Sequence, residues 1–135
     1  MITAVDTNVL IDVFGASPAH GAHSREALRS CSREGRLIAC EAVWAEVTAS
    51  FESAREAEEA MSRLGVDFSA MTSDAALHAG AAWKEYRDRG GRRNRVVADF
   101  LIGAHALSGA DRLLTRDRGF YRSYFQQLSV LDPAR

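Results

Sequence analysis

Four acidic side chains carry the most distinctive chemistry in this sequence, although they lie far apart along the chain: Asp6, Glu46, Asp99 and Asp117. Carboxylate oxygens are the ligands that hard divalent cations such as Mg²⁺ prefer. A cation held in this way can make a water molecule more acidic, orient it, and neutralise negative charge that builds up on a phosphate. Crowded carboxylates also repel one another, so we expect a raised pKa at one of them in the metal-free protein.

Two of these acids follow strand-like runs. Asp6 comes directly after the apolar run Ile2–Val5, and Asp117 follows Arg112–Thr115. Ligands of parallel sheets bind beyond the carboxyl ends of the strands, so both acids should open into one crevice if the two strands are neighbours. The alternatives are that Asp6 only caps the helix after it and that Asp117 is a turn residue before Gly119.

The other two acids lie in apolar helical segments. Asp99 is the one acid between Val96 and Ala110, and Glu46 lies within Val43–Val47. A charge among apolar neighbours is costly unless something compensates it, and a bound cation would do so. The alternatives are that Asp99 complements the dipole of its own helix and that Glu46 is an exposed position on an amphipathic helix.

Short β-like runs alternate with longer helical ones, which predicts an α/β fold with a mainly parallel sheet. The expected strands are Ile2–Val5, Leu37–Cys40, Val66–Phe68, Arg112–Thr115 and Leu128–Leu131. The expected helices run over 9–14, about 18–34, 41–50, a segment ending at Leu64, 73–88 with Ser73 as its cap, 96–107 and 119–125.

The length and composition set simple bounds. The chain has 135 residues, which fits a single domain over 1–135, and its formal net charge is −1. No apolar run approaches the length of a membrane span, and the first residues lack the basic stretch of a secretory signal, so we expect a cytoplasmic protein. The two cysteines, Cys31 and Cys40, form no metal-binding pattern and are expected to be free thiols.

Arginines dominate the basic residues, since Lys84 is the only lysine. The rigid guanidinium fork suits phosphate oxygens, so the clusters predict either phosphate contacts or no more than solvated helix faces. The candidate contact residues are Arg92, Arg93, Arg95 and Arg116.

The remaining titratable residues give weaker signals. His20 and His23 have no evident third ligand and are interpreted as a surface pair, and His105 is interpreted as packed or partly exposed. Four further acids are expected to be solvated or to cap helices: Asp12, Glu41, Asp67 and Asp111.

Four segments together resemble the PIN-domain family, and within it the VapC-type toxins of bacterial toxin–antitoxin pairs. They occur in the family's order and span the chain: Val5–Asp12 with its Asp-Thr-Asn, Val43–Val47, Arg95–Ala106 and Leu113–Tyr121. The resemblance implies a three-layer α/β/α sandwich with a five-stranded sheet.

The resemblance also implies the chemistry of the site. Asp6, Glu46, Asp99 and Asp117 match an acidic quartet that binds Mg²⁺ or Mn²⁺. Asn8 and Thr115 match polar positions that would orient an acid or a coordinated water. The implied activity is that of a ribonuclease, in which an activated water attacks an RNA phosphodiester in line.

The implied partners are an RNA substrate and a small VapB-like antitoxin, in a homodimer that becomes a heterotetramer or larger with the antitoxin. The arginines could contact either partner. Two other functions stay open: a catalytically inactive PIN-like module that binds RNA or protein, and a haloacid-dehalogenase-like phosphatase. The phosphatase is disfavoured because it needs a second Asp where this chain has Asn8.

Overall fold

A computed structural model of the chain describes residues 1–92 and 95–134. The candidate residue Arg93 lies outside the described residues. Five strands form one sheet in the order β3-β2-β1-β4-β5, and all four pairings are parallel. The strands are β1 (Ile2–Val5), β2 (Arg36–Ala39), β3 (Val66–Phe68), β4 (Arg112–Leu114) and β5 (Val130–Leu131). The predicted three-layer α/β/α sandwich is confirmed.

In the described part of the chain, seven helices surround the sheet: α1 (Thr7–Phe14), α2 (Gly21–Glu34), α3 (Glu41–Ala49), α4 (Ala54–Leu64), α5 (Ser73–Asp88), α6 (Val97–Gly109) and α7 (Arg118–Tyr124). Most boundaries agree with the sequence-based expectation to within two residues. The cap of α5 was wrong, because Thr72 rather than Ser73 accepts the hydrogen bond from the Ala75 amide, at 3.1 Å. Helix α2 begins only at Gly21, and β5 omits Leu128, whose side chain is buried just before the strand.

The central strand β1 positions Asp6, the first of the four candidate acids, directly after its last residue. Its residues Thr3, Ala4 and Val5 are all buried, as expected for a strand covered on both faces. The chain builds β1, β2 and β3 outward on one side and then crosses to β4 on the other side of β1. The order of the strands therefore reverses between β1 and β4, which is where sheets of this kind form a ligand crevice.

The register of β1 and β4 places two polar residues side by side at this reversal. Val5 pairs with Leu114, and the Asp6 amide donates to the Leu114 carbonyl at 2.9 Å. The next residues on the two strands, Asp6 and Thr115, therefore leave the sheet together at its carboxyl edge. The condition for one shared crevice, that β1 and β4 are neighbouring parallel strands, is therefore met.

One acid has a different role from the one that its sequence context suggested. Asp12 was expected to be solvated or capping, but it is only 4% exposed. Its Oδ2 atom accepts hydrogen bonds from Ser24 Oγ at 2.8 Å and from Arg116 Nε at 2.6 Å, and its Oδ1 accepts from Arg116 Nη2 at 3.0 Å. The hydrogen bond from Ser24 links α1 to α2, and the ion pair with Arg116 links α1 to the segment after β4. Together these partners compensate the buried charge of Asp12.

The other weak signals agree with their interpretations. Cys31 and Cys40 are buried free thiols, and His20 and His23 are exposed. His105 is packed inside, with its Nε2 atom 3.0 Å from Ser69 Oγ. Among the described residues, no helix has the length and apolar character that crossing a membrane requires.

Candidate active site

Asp6 is the most enclosed of the four acids, with only 6% of its surface exposed. Its Oδ2 atom accepts three hydrogen bonds, from Thr115 Oγ1 at 2.7 Å, Tyr121 OH at 3.1 Å and Asn8 Nδ2 at 3.3 Å. Its Oδ1 accepts from the Thr7 amide at 2.7 Å, so Asp6 also caps α1. The Asp6 carboxylate therefore both caps α1 and belongs to the candidate site, so the two alternatives do not exclude each other.

Burial raises the pKa of Asp6 from 3.8 to about 6. The hydrogen bonds from Thr115, Tyr121 and the Thr7 amide oppose this rise, and the nearby charge of Asp99 adds to it. The raised pKa was predicted, but its main cause is desolvation rather than repulsion between acids.

Asp99 lies in the first turn of α6 and is half-buried. Its Oδ2 accepts from the Val96 amide at 3.1 Å, so it also complements the N-terminus of its helix. Burial is the main cause that raises the pKa of Asp99, and the charges of Glu46 and Asp117 raise it further. Asp99 thus lies within electrostatic range of the other three acids.

Glu46 reaches the site from the exposed side of α3. Its Oε1 accepts from Thr7 Oγ1 at 2.7 Å. Because Thr7 also donates its amide to Asp6, this one residue links the two acids. The alternative interpretation was that Glu46 is only an exposed helix residue. It is exposed, but its hydrogen bond with Thr7 also gives it a specific position next to Asp6.

Asp117 differs from the other three because an arginine holds it. Arg95 donates from Nη1 to Asp117 Oδ2 and from Nη2 to Oδ1, the latter at 3.1 Å. The Asp117 amide in turn donates to Thr115 Oγ1 at 2.9 Å. This pairing raises the pKa of the Arg95 guanidinium, which stays charged. Thr115 therefore contacts both strand-end acids.

These contacts fit a divalent cation by the chemistry of the donors. The quartet is entirely oxygen-bearing, and Asp6 and Asp99 both have raised pKa values, as expected of buried carboxylates short of positive charge. Each of the four carboxylates also has a hydrogen-bond partner in the protein. Within residues 1–92 and 95–134, no three acids, histidines or cysteines already converge to the spacing of a metal site. Binding of a cation would therefore require some of these side chains to exchange partners.

Two residues that sequence reasoning did not assign to the site contact its acids directly. The Tyr121 hydroxyl donates to Asp6, and the Thr7 hydroxyl donates to Glu46. Tyr121 lies four residues after Asp117, one helical turn away, and this spacing was the signal that could have identified it. Thr7 could have been identified from the sequence only because it directly follows Asp6.

The candidate arginines do not form one surface. Arg95 binds Asp117, while Arg116 is bonded through its side chain to Asp12 and through its amide to Asn8 Oδ1 at 3.2 Å. Arg116 therefore fixes the segment between β4 and α7. Arg92 is exposed, and its carbonyl accepts a hydrogen bond from the Tyr86 hydroxyl.

In the metal-free protein, we predict that Asp6 makes the free energy of unfolding fall as the pH rises. Because folding raises its pKa to about 6 from 3.8, the folded state binds the proton more tightly than the unfolded chain does. This stabilisation is complete below the unfolded pKa and is lost as the pH rises through about 6. Its loss between about pH 5 and about pH 7.5 amounts to about 1 to 1.5 kcal/mol.

The measurement is urea unfolding of the native protein and of Asp6→Asn, both in a metal chelator, at the two pH values. Asparagine does not titrate, so the difference between the proteins isolates Asp6 from every other titrating group. A difference that stays constant with pH would show that the carboxyl has an ordinary pKa.

Several solved structures of bacterial proteins have the same fold. The chain is similar to VapBC-1 from nontypeable Haemophilus influenzae, with 20% identity, full coverage of both chains and a TM-score of 0.74. It is also similar to VapBC2 from Rickettsia felis bound to a promoter DNA fragment, with 17% identity, 98% coverage of both chains and a TM-score of 0.73. For the sarcin–ricin-loop-cleaving toxin VapC20 of Mycobacterium tuberculosis, the values are 20% identity, 82% and 86% coverage, and a TM-score of 0.58. At these identities the likeness shows the fold.

No curated protein matches the sequence. The family model described as PIN domain matches residues 3–126, which include all four acids. The chain therefore belongs to the PIN domain family.

Proposed function

We propose that this chain is a metal-dependent endoribonuclease, the toxin of a toxin–antitoxin pair, which hydrolyses RNA phosphodiester bonds. The observation that carries the proposal is that Asp6 and Asp117 follow neighbouring parallel strands at one edge of the sheet, with Asp99 within electrostatic range of both and of Glu46. Membership of the PIN domain family supports a nuclease, and the similar VapC20 cleaves an RNA loop. We further propose that the protein acts in the cytoplasm, as an RNA substrate would require.

The proposed cofactor is Mg²⁺ or Mn²⁺, which Asp6, Glu46, Asp99 and Asp117 would hold through their carboxylates. When bound, such an ion supplies an acidified water and positive charge opposite the phosphate.

The surrounding side chains prepare Asp6 for this role. Thr115, Tyr121 and Asn8 all donate to Oδ2, whereas the described hydrogen bonds of Oδ1 come from the Thr7 amide alone. Three donors on one oxygen fix the carboxylate in a single rotamer, and Oδ1 keeps capacity for another partner. Donors beyond the ligand shell typically set the orientation of metal ligands in this way.

The proposal predicts that RNA cleavage stops in the absence of divalent cations. Purified protein incubated with labelled RNA stem–loops should cleave in Mg²⁺ or Mn²⁺, lose cleavage in excess chelator, and regain it when Mn²⁺ is restored. Gel analysis of the products measures the rate, and isothermal calorimetry measures Mn²⁺ binding in parallel. Cleavage that continues unchanged in chelator would contradict the metal dependence.

The proposed protein partner is a small VapB-like antitoxin. The support is that several structures with this fold are complexes, including VapBC from two bacteria and FitAB bound to a DNA fragment. We further propose that the chain forms a homodimer and that antitoxin binding yields a heterotetramer or a larger assembly.

Two observations favour a second function, that of an inactive PIN-like module which binds RNA or protein. Asp117 is already neutralised by Arg95, and the described acids do not converge to metal-site spacing. The calorimetric titration separates the two functions, because an inactive module need not bind Mn²⁺ at millimolar concentration, whereas the nuclease must.

A further inference from the structure

The pair formed by Arg95 and Asp117 places a fixed positive charge inside the acidic quartet. Both oxygens of Asp117 accept from the two terminal nitrogens of the guanidinium, the bidentate arrangement that gives arginine–carboxylate pairs their strength. The guanidinium carbon also lies 4.3 Å from the centre of the Phe120 ring, within range of a cation–π interaction. Arg95 is thus held from two sides, by a carboxylate and by an aromatic face.

This pair is better shielded than the exposed ion pair within helix α5. The Arg95 and Asp117 side chains are 24% and 32% exposed, whereas those of the Lys84–Asp88 pair are 71% and 62% exposed. Fully exposed pairs contribute little because water and salt screen them. A cation that takes Asp117 therefore has to displace a partly buried, bidentate partner.

Arg95 also acts on a second member of the quartet. Its guanidinium lies within electrostatic range of Asp99, so its positive charge partly compensates that carboxylate as well. The guanidinium therefore relieves part of the repulsion that the four acids would otherwise exert on one another in the metal-free protein.

We propose that Arg95 is an internal cation that competes with the divalent ion for Asp117. The inference rests on the proposed function, since it assumes that Asp117 belongs to the metal site. Arg95 holds Asp117 while no metal is bound, which stabilises the acidic site and weakens its affinity for the ion. Loss of Arg95 therefore has two opposite effects: the metal-free protein becomes less stable, and the metal binds more tightly.

The test is calorimetric titration with Mn²⁺ of the native protein, Arg95→Gln, Arg95→Lys and a control, Arg122→Gln. Arg122 is an exposed arginine of α7, so the control removes the same charge from the neighbourhood of the site. We expect Arg95→Gln to lower the Mn²⁺ dissociation constant about threefold to tenfold, the scale of one net hydrogen bond in a pair that solvent partly screens. Arg95→Lys keeps the charge but loses the bidentate fork, so we expect an intermediate value.

A double-mutant cycle separates direct competition from a general charge effect. In an Asp117→Asn background, there is no carboxylate for Arg95 to hold. Arg95→Gln should then change the Mn²⁺ dissociation constant much less than in the native background, because only its weaker effect on Asp99 remains. Thermal unfolding in chelator supplies a second readout, in which Arg95→Gln should melt below the native protein although it binds the metal more tightly.

The outcomes are distinct. Equal Mn²⁺ affinity of native protein and Arg95→Gln, both of which bind the ion, would overturn the inference and leave the proposed function standing. An effect of Arg95→Gln that is equally large with Asp117→Asn, or that Arg122→Gln reproduces, would also overturn it. Absence of Mn²⁺ binding in every variant would overturn both the inference and the metal dependence of the proposed function.

Discussion

Replacement of Asp99 by asparagine should reduce metal-dependent RNA cleavage by at least about a hundredfold. Loss of a residue that only orients a metal ligand costs up to about a hundredfold, and loss of a ligand should cost no less. Asn keeps the size of the side chain and can still accept the hydrogen bond from the Val96 amide, so helix α6 should form normally. What is lost is a negative charge within electrostatic range of the other three acids. We expect the same loss for Asp6→Asn, and each variant should abolish the growth arrest that expression of the native chain is predicted to cause.

The control is Asp111→Asn. Asp111 is an exposed acid immediately before β4, at the opposite edge of the sheet from the site, and its Oδ2 accepts from the Ile2 amide at 2.6 Å. Asparagine retains an acceptor there, so this variant should cleave RNA at the native rate. Undiminished cleavage by a well-folded Asp99→Asn, purified beside this control, would overturn the proposed nuclease.

Substitution of Asp12 by alanine should lower the free energy of unfolding by about 3 kcal/mol, the lower end of the range for breaking a buried ion pair, because Arg116 is partly exposed. The Asp12 side chain is 5% exposed, whereas that of Arg116 is 32% exposed. The change leaves the Arg116 guanidinium and the Ser24 hydroxyl without the carboxylate that accepts from both. Because Arg116 also donates its amide to Asn8, the segment that carries Thr115 and Asp117 should loosen, and cleavage should fall as well.

Urea unfolding measures this effect against a matched variant, Asp67→Ala. Asp67 also accepts from an arginine, Arg36, but the two side chains are 57% and 62% exposed. Exposed pairs contribute about 1 kcal/mol or less, so this variant should unfold close to the native protein. If the two alanine variants lost equal stability, the Asp12 pair would be an ordinary surface contact.

The amino-acid sequence determined the local features of this protein. The alternation of short apolar runs with amphipathic segments predicted the strands and helices, because periodicity and capping residues act over a few neighbouring positions. The placement of Asp6 directly after β1 was enough to predict its edge of the sheet, since parallel strands end together. The apolar surroundings of Asp99 likewise indicated a charge with a specific role.

Only the tertiary structure decided which side chains meet across the chain. Asp12 accepts from Arg116, 104 positions away, and the Tyr121 hydroxyl reaches Asp6 over 115 positions. Arg95, grouped by sequence with arginines that could face phosphate, instead neutralises a member of the quartet. Sequence spacing could not reveal these pairings, because the desolvation that makes a buried charge select its partner exists only after distant segments pack together.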